Sequence, residues 1–365
     1  MLLVPGPNEV SFGHFVGTVS SGTRRILVRV DGHLRAERTV RGQRFDFSLA
    51  LSPRDVTLAV TAVDGRGRRA STVVGPVYGL PRAAASRAPP VTGYADARLA
   101  RTVRALVRAF PGTCAVFLQD LGTGAGAAWN ARARIPAAST LKVAIAVEVL
   151  RVHAGKPTPG TLLDHLLRRM LVESDDEAAN QLLVWLGGST SGGSARVNAT
   201  MRALGLTDTE MYGGYEVTRS TSGRERKPIP LRVESQPSFV GKYTTALDLG
   251  RLMRYLHLAA AGRERPPLHL RGSFVPAEAR FLLFLLARVQ GPGLLDRYLR
   301  GWGVAVLHKA GWIVRARHDG GLVYWPGGAF VAVVMTWSGR GVGTASDVLA
   351  GRVARAALER FRRRG

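Results

Sequence analysis

Residues 136–142 read Pro-Ala-Ala-Ser-Thr-Leu-Lys, and the apolar stretch Val143 to Leu150 follows directly. On a helix, Ser139 and Lys142 lie three positions apart and therefore share a face. A serine hydroxyl is a weak nucleophile until a nearby base takes its proton, and a lysine can be that base when burial lowers its pKa. The apolar flanks favour such burial. The stretch therefore predicts a nucleophile and its base at the start of a buried helix.

Two later segments carry residues of related chemistry. The first is Ser174-Asp-Asp-Glu-Ala-Ala-Asn-Gln-Leu-Leu183, and the second is His308-Lys-Ala-Gly-Trp312 at the end of an apolar strand. Lys309 supplies a second ammonium, which can lower the pKa of Lys142 and attract an anionic substrate. Gly311 has no Cβ, so a substrate backbone can lie close to this strand.

Each segment also has a purely structural interpretation. Ser139 could cap its own helix, and Ser174 with Glu177 would make a good capping box for the next helix. Lys309 could be a solvated charge at a strand end. The case for catalysis depends on the occurrence of all three segments together.

In this order, the three segments resemble the S-x-x-K, S-D-N and K-T-G elements of the class A β-lactamases and penicillin-binding proteins. The segments Thr244 to Leu252 and Arg317 to Val323 are similar to the same family, and the resemblance covers roughly residues 95 to 362. It implies an α+β fold, in which an antiparallel sheet is flanked by helices and joined to an all-helical subdomain.

The resemblance also implies a role for each residue. Ser139 is the acylated nucleophile, and Lys142 is its general base or proton relay. Ser174 passes a proton to the leaving nitrogen, and Lys309 supports Ser174 and attracts the substrate carboxylate. The family's oxyanion hole consists of two backbone N–H groups, which correspond to those of Ser139 and Trp312. The expected substrate-binding residues are Asp176, Ala310, Gly311 and Trp312.

Three departures from the family pattern affect these expectations. Asp176 stands where the family has an asparagine, and an ionised carboxylate only accepts hydrogen bonds. Ala310 lacks the hydroxyl that helps to hold a β-lactam carboxylate, so affinity for that group should fall. The glutamate that drives deacylation corresponds best to Glu234, with Glu216 and Glu225 as weaker candidates and solvated loop charges as the alternative.

The pair His318-Asp319 invites comparison with a serine-triad histidine and aspartate. Lys142 already supplies a base for the serine, and in the family pattern this pair lies where a strand begins. We therefore expect His318 and Asp319 to have a structural role.

The first 80 residues show a different pattern from the rest. Short period-two segments separated by turns such as Asp31-Gly32 and Asp64-Gly65 predict a small antiparallel β-sandwich of immunoglobulin-like type. We expect the segments Val10 to Val16, Arg25 to Val30, Phe45 to Leu49 and Val56 to Val63 to be strands. Residues 81–93, rich in Ala, Arg, Ser and Pro, are expected to be a linker to a hydrolase domain over 94–365.

Composition limits the partners and the location. With 51 Lys and Arg against 26 Asp and Glu, the formal net charge is +25, which would suit anionic cell-wall polymers. The arginines are scattered, so we expect a solvated basic surface and no nucleic-acid site. The single cysteine, Cys114, excludes an intrachain disulfide, and no metal or cofactor is expected. No signal peptide is visible, although the resemblance implies an extracytoplasmic protein, and we expect a monomer.

Three functions remain open. The first is a β-lactamase that hydrolyses the β-lactam amide through Ser139. The second is a penicillin-binding-protein-like peptidase or esterase that acts on wall peptides or small esters and deacylates slowly. The third is a non-catalytic wall-binding protein, against which the presence of Ser139, Lys142, Ser174 and Lys309 argues.

Overall fold

The structure, a computed structural model, describes residues 1–85, 93–215, 241–262, 274–291 and 293–363. In these ranges an N-terminal all-β region precedes a mixed region, where helices pack on both faces of one large sheet. This arrangement is the α+β architecture predicted from the sequence. No described helix combines the length and apolar character that crossing a membrane requires.

The N-terminal region consists of a three-stranded sheet of order β1-β3-β6 and a five-stranded sheet of order β2-β8-β7-β4-β5. Alternate residues point inward, so Phe15, Ile26, Val28 and Leu58 form an apolar core between the sheets. The strands are β1 (Leu2–Val4), β2 (Glu9–Ser11), β3 (His14–Thr18), β4 (Thr23–Val30), β5 (His33–Thr39), β6 (Arg44–Ser48), β7 (Asp55–Asp64) and β8 (Arg69–Gly79).

The single strand expected over Val10 to Val16 is instead two strands in different sheets, because the chain turns at Gly13. Gly13 has a φ of +78°, and a Cβ there would lie 1.9 Å from the carbonyl oxygen of Leu49. Only glycine tolerates both conditions. Strand β2 consequently pairs in parallel with β8, whereas β3 pairs with β6 in the other sheet.

The large sheet has the order β14-β15-β16-β10-β11-β9. Strand β10 lies near the start of the mixed region in sequence, and it pairs with β16, which lies near the end of that region. The start and the end of the mixed region therefore contribute to the same sheet. Strand β14 lies at the sheet edge. The strands of this region, including the short pair β12-β13, are β9 (Tyr94–Ala95), β10 (Thr113–Asp120), β11 (Ala125–Trp129), β12 (Ile135–Pro136), β13 (Tyr243–Thr244), β14 (Ala305–Ile313), β15 (Ala316–Trp325) and β16 (Gly328–Trp337).

The helices divide between two apolar cores, one on each face of this sheet. Helices α1 and α8 cover one face, and the others pack on the opposite face or beyond it. Helix α2 is almost wholly enclosed, since Lys142 to Leu150 are all buried. The helices are α1 (Ala97–Arg108), α2 (Lys142–His153), α3 (Leu162–Arg168), α4 (Asp176–Gly187), α5 (Thr190–Ala203), α6 (Ala246–Ala260), α7 (Pro276–Leu286) and α8 (Thr344–Arg362).

The N-terminal sheets are attached to the mixed region by shared packing. Val10, Phe12 and Leu80 belong to the same apolar core as the helices of the mixed region. The segment expected to be a linker begins with a 3-10 turn, Arg82–Ala85, in which Ala84 is buried in that core. The chain therefore leaves the β-region through packed residues, and 86–92 lie outside the described ranges.

Candidate active site

Ser139 lies on a 3-10 turn, Ala138–Leu141, directly before α2. On such a turn, residues three apart eclipse each other, so Ser139 and Lys142 face the same side. Ala138 has a φ of +47°, a left-handed conformation that costs a non-glycine residue free energy. Strained backbone therefore lies immediately before Ser139. The hydroxyl of Ser139 makes no hydrogen bond within the described part of the chain.

Ser174 ends a π-helical turn, Arg169–Glu173, in a left-handed conformation with φ 62°. The N-cap of α4 is Asp175, whose carboxylate accepts a hydrogen bond of 2.6 Å from the backbone N–H of Ala178. The capping-box interpretation of Ser174 is therefore wrong. Its hydroxyl oxygen instead accepts hydrogen bonds from Lys309, at 2.9 Å, and from Lys142, at 3.3 Å.

The side chain of Lys142 is fully buried, and its ammonium has three acceptors. Nζ donates to the carbonyl oxygen and the hydroxyl of Ser174 and, at 2.6 Å, to Oδ1 of Asp176. Burial lowers the pKa of Lys142, and the charges of Asp176 and Asp175 oppose that shift. The substitution of Asp for Asn at 176 thus places a negative charge directly on the expected base.

Lys309 lies on the edge strand β14 and is 1% exposed. Its ammonium donates to Ser174 and to the carbonyl oxygen of Ala310, each at 2.9 Å. Burial and the neighbouring charge of Lys142 lower the pKa of Lys309 to about 7. Two buried lysines therefore flank one serine hydroxyl.

Gly311 brings strand β14 against the backbone of Ser139 and Thr140. A Cβ on Gly311 would lie 2.8 Å from the amide nitrogen of Ser139 and 2.9 Å from that of Thr140. Trp312 is the next residue on the strand, so its backbone N–H and that of Ser139 belong to adjoining segments. This geometry suits a pair of donors around a developing oxyanion. The Trp312 side chain is 47% exposed, beside the guanidinium of Arg317.

Lys142, Ser174 and Lys309, from three distant segments, thus meet at the Ser174 hydroxyl, and strand β14 also approaches the backbone of Ser139. A model of the Beta-lactamase enzyme family matches residues 98–160 and 154–361. The chain belongs to this family. The N-terminal sheets lie outside the matched ranges.

Solved structures support the assignment at the level of the fold. The beta-lactamase family region resembles the structure of PBP-A, with 21% identity and a TM-score of 0.58 over 74% of this chain and 98% of that one. The class A beta-lactamase from Mycobacterium abscessus is similar, with 20% identity and a TM-score of 0.56 over 72% and 99% of the two chains. No curated protein matches the sequence.

Two residues of the site, Tyr215 and Lys242, were not predicted from the sequence. The ring of Tyr215 lies 4.8 Å from the ammonium of Lys142 and 5.1 Å from that of Lys242. Asn180 holds Tyr215 through both of its backbone polar groups, with hydrogen bonds of 2.6 and 2.8 Å. Tyr215 lies in no motif, so only its contacts identify it. Lys242 is close in sequence to the segment that starts at Thr244, and this proximity could have drawn attention to it.

Other expected residues lie elsewhere. Glu234, Glu216 and Glu225 fall outside the described residues. Asp319 pairs with His308 at 2.8 Å, while His318 lies 2.6 Å from the carbonyl oxygen of Pro136. These contacts give Asp319 and the buried His318 separate partners, in keeping with the structural role that we expected for them.

Proposed function

We propose that the chain is a serine hydrolase of penicillin-binding type, which acylates Ser139 with a β-lactam or a wall-peptide-like amide and releases the acyl group slowly. The observation that carries this proposal is the position of the Ser174 hydroxyl between two buried lysines. A serine oxygen has two lone pairs and one proton. With both lone pairs occupied by Lys142 and Lys309, the proton of Ser174 is directed to a third partner, the leaving nitrogen.

Acylation then proceeds with balanced proton transfers. Once Lys142 has lost its proton, its neutral amine takes the proton of Ser139, whose oxygen bonds to the substrate carbonyl carbon. The backbone N–H groups of Ser139 and Trp312 stabilise the negative carbonyl oxygen. As the carbon–nitrogen bond breaks, the nitrogen receives the Ser174 proton, and the Lys142 ammonium replaces that proton across 3.3 Å. Lys309 attracts the substrate carboxylate through its charge.

The described surroundings of Lys142 favour slow release of the acyl group. Asp175 caps α4 and pairs with Arg169 at 2.5 Å, and Asp176 is bound to Lys142 itself. Burial raises the pKa of Tyr215, so this phenol stays neutral. Each of these described groups is neutral or already paired with a cation, which weakens it as a base for the deacylating water. The acyl-enzyme should accordingly persist.

Intact-mass analysis with a chromogenic cephalosporin tests the proposal. The chain should gain the mass of one acyl group, which stays bound with little colour turnover, because acylation is supported and water activation is not. The Ser139→Ala variant should gain none, since it lacks the nucleophile. An adduct that also forms on Ser139→Ala, or the absence of any adduct on the parent chain, contradicts the proposal.

Hydrolytic turnover is the second candidate function, and membership of the beta-lactamase family favours it. Turnover requires a base for water, and Glu234 remains the best candidate by sequence. Rapid colour turnover that disappears in Glu234→Gln, with the acyl-enzyme then accumulating, would establish this function. Turnover that is unchanged in Glu234→Gln would exclude Glu234 as the base.

A further inference from the structure

Asp176 is the most exposed charged side chain in contact with the base. Its carboxylate oxygen Oδ1 lies 2.6 Å from Nζ of Lys142, and the side chains are 38% and 0% exposed, respectively. The second oxygen, Oδ2, has no hydrogen-bond partner among the described residues. Asp176 therefore presents an unused acceptor on the solvent side of the site.

The contacts of Lys142 match those of a fully engaged ammonium. An ammonium has three protons, and the described contacts provide three acceptors, two on Ser174 and one on Asp176. Ser139 is not among them. An amine in this state cannot take a proton from Ser139, so Lys142 must be released from Asp176 before acylation.

The other charged and titratable groups around Lys142 are already committed. Asp175 is bound by Arg169 and caps α4, and Lys309 is bound to Ser174 and Ala310. Tyr215 lies between Lys142 and Lys242. Among the described charged groups beside Lys142, Asp176 is thus the one that has both an exposed surface and an unused acceptor oxygen.

We propose that Asp176, which contacts the expected base, binds an ammonium group of the substrate, so that the site prefers acyl donors carrying an amine close to the scissile carbonyl. This inference rests on the proposed acylation of Ser139. A substrate ammonium competes with Lys142 for the Asp176 carboxylate, and as a like charge it favours loss of a proton from Lys142 to bulk water. The substrate thereby frees its own base.

Two penicillins that differ by one amine provide the test. Benzylpenicillin has no amine in its side chain, and ampicillin carries an α-ammonium at the same place. Second-order rate constants for acylation of Ser139 are measured by intact mass. On the parent chain, ampicillin should react about tenfold faster, the effect expected of one charge-assisted hydrogen bond. In Asp176→Asn this ratio of rates should fall to about one, and the benzylpenicillin rate itself should rise, because Lys142 no longer has to be released from a carboxylate.

Glu177→Gln is the matched control, because it removes one charge from the next position of α4, where Glu177 is exposed. It should retain the ampicillin preference. If Asp176→Asn keeps the ampicillin preference, or if Glu177→Gln loses it to the same extent, the inference about Asp176 is wrong and the proposed acylation is unaffected. Absence of any adduct from either penicillin overturns the proposed acylation as well.

A measurement on the parent chain covers the case in which Asp176→Asn does not fold. As pH rises, the amine of ampicillin loses its charge, and the ratio of the two acylation rates should fall towards one. Benzylpenicillin serves as the reference at each pH, since it shares the dependence on Lys309 but has no amine in its side chain. A ratio that stays constant as that amine titrates contradicts binding to Asp176.

Discussion

At the scale of single residues, the contact between Gly311 and the Ser139 amide is the tightest constraint in the site. Any side chain at 311 would begin with a Cβ less than 3 Å from two backbone nitrogens. Backbone cannot move aside as a flexible side chain can. The proposed oxyanion pocket therefore depends on the absence of a Cβ at position 311.

Gly311→Ala is expected to slow acylation of Ser139 by about 100-fold, the effect of losing one oxyanion donor. The measurement is the acylation rate with benzylpenicillin, accompanied by thermal unfolding. Gly339→Ala is the control, because a Cβ there makes only an ordinary contact of 3.7 Å with Trp337. Equal acylation rates in the two variants would show that the Gly311 contact is unimportant.

Lys309 gives the site a pH dependence with a definite sign. Because its pKa is lowered to about 7, its ammonium is charged below that pH and neutral above it. Attraction for a substrate carboxylate should weaken as pH rises, so the half-saturating benzylpenicillin concentration should increase between about pH 6 and pH 8. The neighbouring charges of Lys142, Asp319 and Asp176 act on Lys309 throughout.

Lys309→Arg should remove this dependence, because a guanidinium stays charged over the whole range. The relevant measurement is the saturation constant at each pH, separated from the limiting rate constant, with folding checked by thermal unfolding. If Lys309→Arg shows the same increase as the parent chain, the titrating group is another residue.

At the scale of elements, one buried carboxylate joins two of them and the segment between α2 and α3. Glu9 on β2 accepts hydrogen bonds from Lys156, beyond α2, at 2.9 Å and from Arg280 on α7 at 2.6 Å. The Glu9 residue is 3% exposed. Two cations would lose their partner together if this side chain were removed, and a buried charge without a partner is costly.

Glu9→Ala should lower the free energy of unfolding by about 3 kcal/mol, as expected when one partner of a buried ion pair is removed. Denaturant unfolding measures it. In the control, Glu37→Ala, the lost ion pair is with Arg25, and both side chains are about half exposed, at 47% and 48%. That change should cost under about 1 kcal/mol, and equal costs for the two variants would contradict the joining role of Glu9.

At the scale of the whole molecule, the N-terminal sheets and the mixed region share one apolar core. Phe12 packs against His257 and Tyr324, with ring centroids 5.7 and 6.0 Å apart. Leu80 is fully buried in the same core. The first 80 residues therefore pack against the rest of the protein, unlike a module that is attached only through a free linker.

A fragment that begins at residue 93 should consequently be unstable. It would lose the side chains of Val10, Phe12 and Leu80 from the core, and we expect its melting temperature to fall by at least about 10 °C. Thermal unfolding of the fragment and the full chain, each with its acylation rate, measures the effect. Identical melting temperatures would show that the N-terminal sheets are an independent module.

The sequence by itself determined the chemical groups and their order along the chain. Ser139 and Lys142 are three residues apart, so local helical geometry places them on one face, and the alternating segments before residue 80 were predictable because strand periodicity is also local. Tertiary structure decided which groups meet. It placed Ser174 between two lysines that lie 32 and 135 residues away.

Tertiary structure also decided that Asp176 binds Lys142, that Tyr215 covers the same ammonium, and that Leu80 leads into a shared core. Contacts between distant segments leave no periodic trace in the sequence, since they depend on how complete elements pack. The charge that holds the base and the packing that holds the two regions together therefore became visible only in the folded chain.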